Sequence, residues 1–167
     1  MIAVLALSWL VACDGGGGDT GPVPASVLIN EILAMTDGAS LDDAGEPSDW
    51  IELHNPGDSA MDLEGWSITD GWDEGAEPWP LPAGTVLDPG AFLVLWCDDQ
   101  PEQGALHLGF TLYYDGEILD LLDPDGAIGA ETRFGFMDPD VSWARVPDGS
   151  DLWRYLDPPT PGAANGT

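Results

Sequence analysis

"SDWIELHNPGDSAMDLEGWSITD", residues 48–70, holds two β-patterned runs, 50–55 and 61–69, joined by a Pro-Gly-Asp turn signal. In the second run the apolar phase follows Met61 and Leu63, then slips to Trp66 and Ile68 across Glu64-Gly65. Strand side chains alternate with period two, so a β-bulge at Gly65 is expected to restore the inward register. Outward from this stretch the same short runs recur: "VLINEIL" (27–33), "AFLVLWC" (91–97), "LHLGFTLY" (106–113), "EILDLL" (117–122), "AETRFGF" (130–136), "SWARV" (142–146) and "LWRYL" (152–156). Turn sequences LDPG, YDGE, DPDG and VPDG lie between them, which is the spacing of a single all-β sandwich. Apolar positions at helical spacing are broken by Gly or Pro throughout, so no helix is expected after the N-terminal segment.

The alternation assigns faces. Leu106, Leu108, Phe110 and Leu112 share one side of their run, which leaves His107, Gly109 and Thr111 for a wet side. "AFLVLWC" is apolar on both sides and is expected to be central, with Cys97 a buried small hydrophobe.

The first residues follow a different logic. Residues 1–12 are uncharged and apolar, and at about 11 apolar residues they fall short of the roughly 20 that span a bilayer. That length suits the apolar region of a secretory signal. Leu10-Val11-Ala12-Cys13 is similar to the lipobox of bacterial lipoproteins, in which the Cys becomes the first mature residue and takes the lipid, although no Lys or Arg precedes it. Residues 14–26, with five Gly and two Pro, read as a flexible tether of about 20 Å reach at ~5–6 Å × √n. The expected organisation is a signal over 1–12, an attachment point at Cys13 with a tether to 26, and one sandwich domain over 27–165.

Charge narrows the partners. The chain carries 31 Asp and Glu against three Arg and no Lys, a formal −28. Binding to nucleic acid or to anionic head groups depends on Lys and Arg displacing counterions, so both are excluded as direct electrostatic partners. Divalent cations, basic proteins and neutral glycans remain. An acidic coat that serves only solubility is the plainer reading of the same charge.

Several blocks carry a resemblance: "VLINEIL", "SDWIELHNPGDSAMDLEGWSITD", "WPLPAGTVLDPGAFLVLW", "DGEILDLLDPDG" and the closing "PTPGAAN". Together, in this order over residues 27–165, they look like a bacterial lamin-tail domain. The resemblance implies an immunoglobulin-like β-sandwich. In exported bacterial proteins such domains often accompany hydrolase domains as targeting or binding modules, and here no second domain is expected. It also implies that Arg145 belongs to an R-x-P-D-G stretch and pairs structurally with a carboxylate, that His54 replaces a strand-end aromatic, and that Trp79 belongs to the core.

Catalytic constellations are missing: the sequence has no HExxH, GxSxG, CxxC or phosphate loop. Glu31 and Glu52 lie on strands expected to be close, but a carboxylate pair is commonplace in so acidic a chain. Calcium is the best-posed ligand, with Asp123 and Asp125 of "DPDG" and Asp138 and Asp140 of "DPD" supplying hard oxygens. The EF-hand pattern fails there, because Leu121 and Thr132 fall where carboxylates are needed. Trp72, amid carboxylates in "DGWDEGAEPWP", is the candidate for contact with a glycan or peptide. The function expected is a non-catalytic, lipid-anchored binding or structural module of the cell envelope, reaching the membrane through Cys13 and needing no cofactor. A calcium-dependent adhesion or assembly component is the alternative, and a hydrolase with an unrecognised carboxylate site the third reading.

Overall fold

The computed structural model describes residues 27–71 and 77–166. The expected signal, Cys13 and the tether fall outside the described residues, as does Trp72. Among the described residues there are twelve strands and no helix. In chain order these are β1 (Leu28–Leu33), β2 (Asp49–His54), β3 (Met61–Asp62), β4 (Ser67–Thr69), β5 (Trp79–Pro80), β6 (Val86–Leu87), β7 (Phe92–Cys97), β8 (His107–Leu108), β9 (Ile118–Leu122), β10 (Ile128–Arg133), β11 (Ser142–Arg145) and β12 (Trp153–Leu156). One sheet runs β12-β11-β1-β2-β7-β8 and a second β10-β9-β4-β5, with a two-stranded ribbon of β3 and β6 beside them.

The apolar alternation read from the sequence closes the two larger sheets over one core. Ile29, Ile32, Ile51, Leu53 and Leu95 of the six-stranded sheet join Ile68, Leu119 and Leu121 of the other in a single fully buried cluster. Each such side chain contributes roughly 1.5–3 kcal/mol. The result is the immunoglobulin-like all-β sandwich that the sequence led us to expect. Cys97 is buried within it, and apolar surroundings push its thiol well above the ordinary range.

Three local expectations are corrected. Gly65 sits in a turn rather than a bulge: Trp66 N donates to Leu63 O (3.1 Å) and Gly65 has φ +80°. β3 and β4 therefore belong to different sheets, and a slip in a period-two pattern marks a change of layer as readily as an extra residue. The register shifts that do occur lie between Ile29 and Glu31 and between Ile128 and Ala130. The first of them lets Ile29 and Ile32, an odd spacing, both enter the core.

In residues 106–113 only His107 and Leu108 form a strand, and it runs parallel to Trp96 and Cys97 of β7. His107 is buried, not on a wet side, because Asp98 supplies a partner for its ring. β7 in turn is central only at one end. It pairs with β2 along its whole length but with β8 at just two residues, so Phe92, Leu93 and Val94 remain half-buried. Trp79 is likewise partly buried at the core margin, its ring so close to Gly109 that a Cβ there would lie 2.3 Å from it.

Leu121→Ala, which empties a site at the centre of this core, is expected to cost about 2–5 kcal/mol in urea unfolding with no change of fold.

Candidate functional site

The register shift at Asn30 turns Glu31 away from the core, directly across from Glu52 on β2. Both carboxylates are fully buried, between β1, β11 and a C-terminal strap that follows β12, residues 157–165. Thr160 donates to Glu31 from its backbone N (3.0 Å) and its hydroxyl (2.9 Å), and Ser142 Oγ donates to the same carboxylate. Gly162 N donates to Glu52 Oε2 (2.7 Å) and Asn30 Nδ2 to Glu52 Oε1 (3.1 Å). Asn30 also donates to Asp148 Oδ1 (2.9 Å), which accepts from Asn165 N (3.1 Å) as well.

A carboxylate taken from water needs donors or a cation. Here every oxygen of Glu31 and Glu52 has a donor from the domain itself. Burial nevertheless raises both groups, Glu52 to about 8, with the facing Glu31 and Asp148 adding to the effect. The pair is therefore a brace for the strap, its oxygens engaged by the domain and buried from solvent.

A second polar group lies at the other end of the sheet. Ligand atoms of Asp42, Asp98 and His107 fall within 4.8 Å of one another, the one such trio among the described residues. Its donors are also internal. His107 Nδ1 donates to Asp98 Oδ2 (2.6 Å) and Gln100 N to Asp98 Oδ1 (3.0 Å). Asp42 accepts from Ala44 N, Glu46 N and Ser48 Oγ, each at 2.9 Å, which holds it below the usual carboxylate range against the opposing effect of desolvation. Each half of the trio thus closes its own segment, and Gln100 and Gln103, donating to Glu46 Oε2 (3.3 and 3.1 Å), fasten the β1–β2 loop to the segment after β7.

Two clefts open near this end. One, of about 410 Å³, is lined by Thr36, Asp49, Asp98 and Tyr114 among others; the other, of about 340 Å³, by Asp70, Asp115, Glu117 and Arg133. Desolvation raises Asp49 to about 6 and Glu117 to about 7.

The structure does not gather the four acids expected to hold calcium. Asp123 Oδ1 accepts from Asp125 N (3.0 Å) and Ala127 N (2.8 Å), closing its own turn. Asp140 Oδ1 accepts from Asp37 N (2.8 Å), Ala39 N (3.2 Å) and Thr36 Oγ1 (3.3 Å), and these bonds hold it below the usual range. Asp125 and Asp138 are exposed. Arg145 is buried, with Nε donating to Ile29 O (2.8 Å), Nη1 to Ser150 O (2.5 Å) and its guanidinium 4.6 Å from the Trp153 ring centre. Its carboxylate contact, Asp151, is 3.7 Å away and fully exposed, so carbonyls are the closer partners. His54 closes a strand end, its Nδ1 3.1 Å from Ala91 O and its ring stacked on Phe92.

Asn30, Asp42, Asp98 and Asp148 were missed by sequence reasoning. The signal for Asn30 was present, since an Asn-Glu pair interrupts an otherwise apolar strand. Asp42 and Asp98 looked like any loop acid.

A family model described as Lamin Tail Domain matches residues 20–135 of the chain. The match ends before β11 and β12, which extend the same six-stranded sheet. A search of curated proteins found no match.

Two outcomes follow from the geometry. The neutral form of Glu52 is favoured on folding, so its contribution is complete below pH ~4.5, the unfolded value, and is lost as pH rises through about 8. The melting temperature is therefore expected to fall between pH ~5 and ~8 and to level off above, and Glu52→Gln to flatten the part of that fall above pH ~7, beyond the range of Asp49 and Glu117. His107→Phe leaves Asp98 and Asp42 buried without their cation-capable partner and is expected to cost about 3–5 kcal/mol in urea unfolding.

Proposed function

The chain belongs to the lamin tail domain family, and from that premise we propose that it serves as a non-catalytic binding or structural module, held to a membrane of the cell envelope by a lipid on Cys13. The family match is the observation that carries the first half of this reading, since the family suggests a binding or structural module. The brace geometry of Glu31 and Glu52 supports it, because a general acid or base needs a lone pair or proton within reach of substrate.

The second half rests on the sequence. An apolar run too short to span a bilayer ends in Leu10-Val11-Ala12-Cys13, and a thiol in that setting is what diacylglycerol transfer requires. Acyl chains contribute ~0.8 kcal/mol per buried CH2, enough for stable anchoring when a lipoprotein carries more than one. The tether that follows holds the sandwich near the surface, where the acidic coat keeps it from adhering to polyanions.

Expression with labelled palmitate followed by membrane fractionation tests the anchor. The native chain is expected to label and to sediment with membranes, and Cys13→Ala to do neither while keeping the same melting temperature. Label retained by Cys13→Ala would remove the anchor from this position.

A further inference from the structure

Three of the eight large hydrophobic side chains exposed among the described residues, Tyr114, Phe136 and Tyr155, lie along a single belt. The belt is continuous. Tyr114 meets Phe136 edge-on at 5.8 Å, and Tyr155 Oη donates to Phe136 O (3.0 Å). The Tyr155 ring lies 4.7 Å from Trp143, which stacks with Trp153 at 5.9 Å. Arg145 then caps Trp153.

Topology explains the exposure. β1 is the strand of the six-stranded sheet that meets β10, whereas β11 and β12 lie beyond it, with β12 at the sheet's edge. Trp143, Arg145, Trp153 and Tyr155 share the side of those strands that carries Ile32; Trp143 and Trp153 pack half-buried against the margin of the core, and Tyr155 is left exposed beyond them.

The position of the belt says what meets it. Arg145 Nε is bonded to Ile29 O, so the Arg145–Trp153 rung lies level with the point where the chain enters β1. Trp153 is two strands over, about 10 Å at ~4.8 Å per strand. Thirteen residues separate Cys13 from Val27, a span of about 20 Å for a chain of that composition. An anchor at Cys13 therefore keeps this edge of the sandwich within reach of the bilayer. Tyr and Trp rings, apolar in body and polar at the tip, favour the membrane–water interface. A chain of net charge −28 gains nothing from anionic head groups, so the contact is with a neutral surface.

We propose that the belt from Tyr114 through Phe136, Tyr155 and Trp143 to Trp153 rests on the zwitterionic lipid surface that holds the anchor, and so fixes the orientation of the domain. This deepens the lipid-anchored reading above and rests on it. The anchor supplies proximity, and the belt supplies a defined face.

The test uses the full chain purified from bacterial membranes and reconstituted into phosphatidylcholine vesicles with plain or brominated acyl chains. Tryptophan emission is expected to drop with brominated lipid, and the drop to disappear in the Phe136→Ser/Tyr155→Ser double variant, which still floats with the vesicles. Tyr114→Ser, at the exposed end of the belt, is expected to lose part of the drop and guards against misfolding of the double variant. Equal emission in both lipids, with the chain afloat, overturns the belt and leaves the anchor standing. A chain that does not float overturns the anchor, and the same quenching read in a titration with free vesicles then decides the belt, its absence overturning that too. Emission that responds to a neutral polysaccharide and not to lipid makes the belt a glycan surface and overturns the proposal.

Discussion

Two glutamates facing each other across β1 and β2, with no cation between them, set the terms for one whole side of the sandwich. Such a pair persists in a buried place only if its oxygens find N–H and O–H donors. The donors come from far along the chain: Ser142 on β11, Thr160 and Gly162 on the strap, and Asn30 at the register shift. The strap lies where it does because two carboxylates need it. Its remaining polar groups then follow, with Asn165 tied to Asp148 and to Arg145 O (3.0 Å). Hydrogen bonding rather than apolar burial fixes the C-terminal end of the domain.

The far end of the same sheet obeys a different rule. There Leu33, Trp50 and Trp96 form an apolar cluster, and polar groups appear where the loops begin, as the trio of Asp42, Asp98 and His107. The three arginines are correspondingly few and placed. Arg145 is buried among carbonyls and aromatics, while Arg133 and Arg154 are exposed, so the general acidic charge is left to water. A surface of one sign suits a domain that stays apart from other polyanions.

Legibility differed with the length of the evidence in the chain. β1, β2, β7 and β9 were readable because runs of five or six patterned residues stand out in the chain, and most of their apolar members went to the core. β5 and β6, two residues each, were not, since two residues have no period. Gly65 shows the limit within a readable stretch: the phase slip was visible, but whether it meant a bulge or a change of sheet depended on what β3 and β4 pair with. The candidate site was half legible. Glu31 and Glu52 could be placed near each other, yet their role could not be read, because it depends on donors more than a hundred positions away.

The sequence by itself determined the class of fold, the family and the net charge, all of which are properties of local pattern and composition. Only the tertiary structure decided that His107 is buried, that Asp123 and Asp140 spend their oxygens on their own or neighbouring backbone, and that the exposed aromatics form one belt beside the entry of the chain. The physical reason is the same in each case. A side chain's hydrogen-bond partners and its exposure are set by segments distant in the chain, and alternation along a strand carries no information about them.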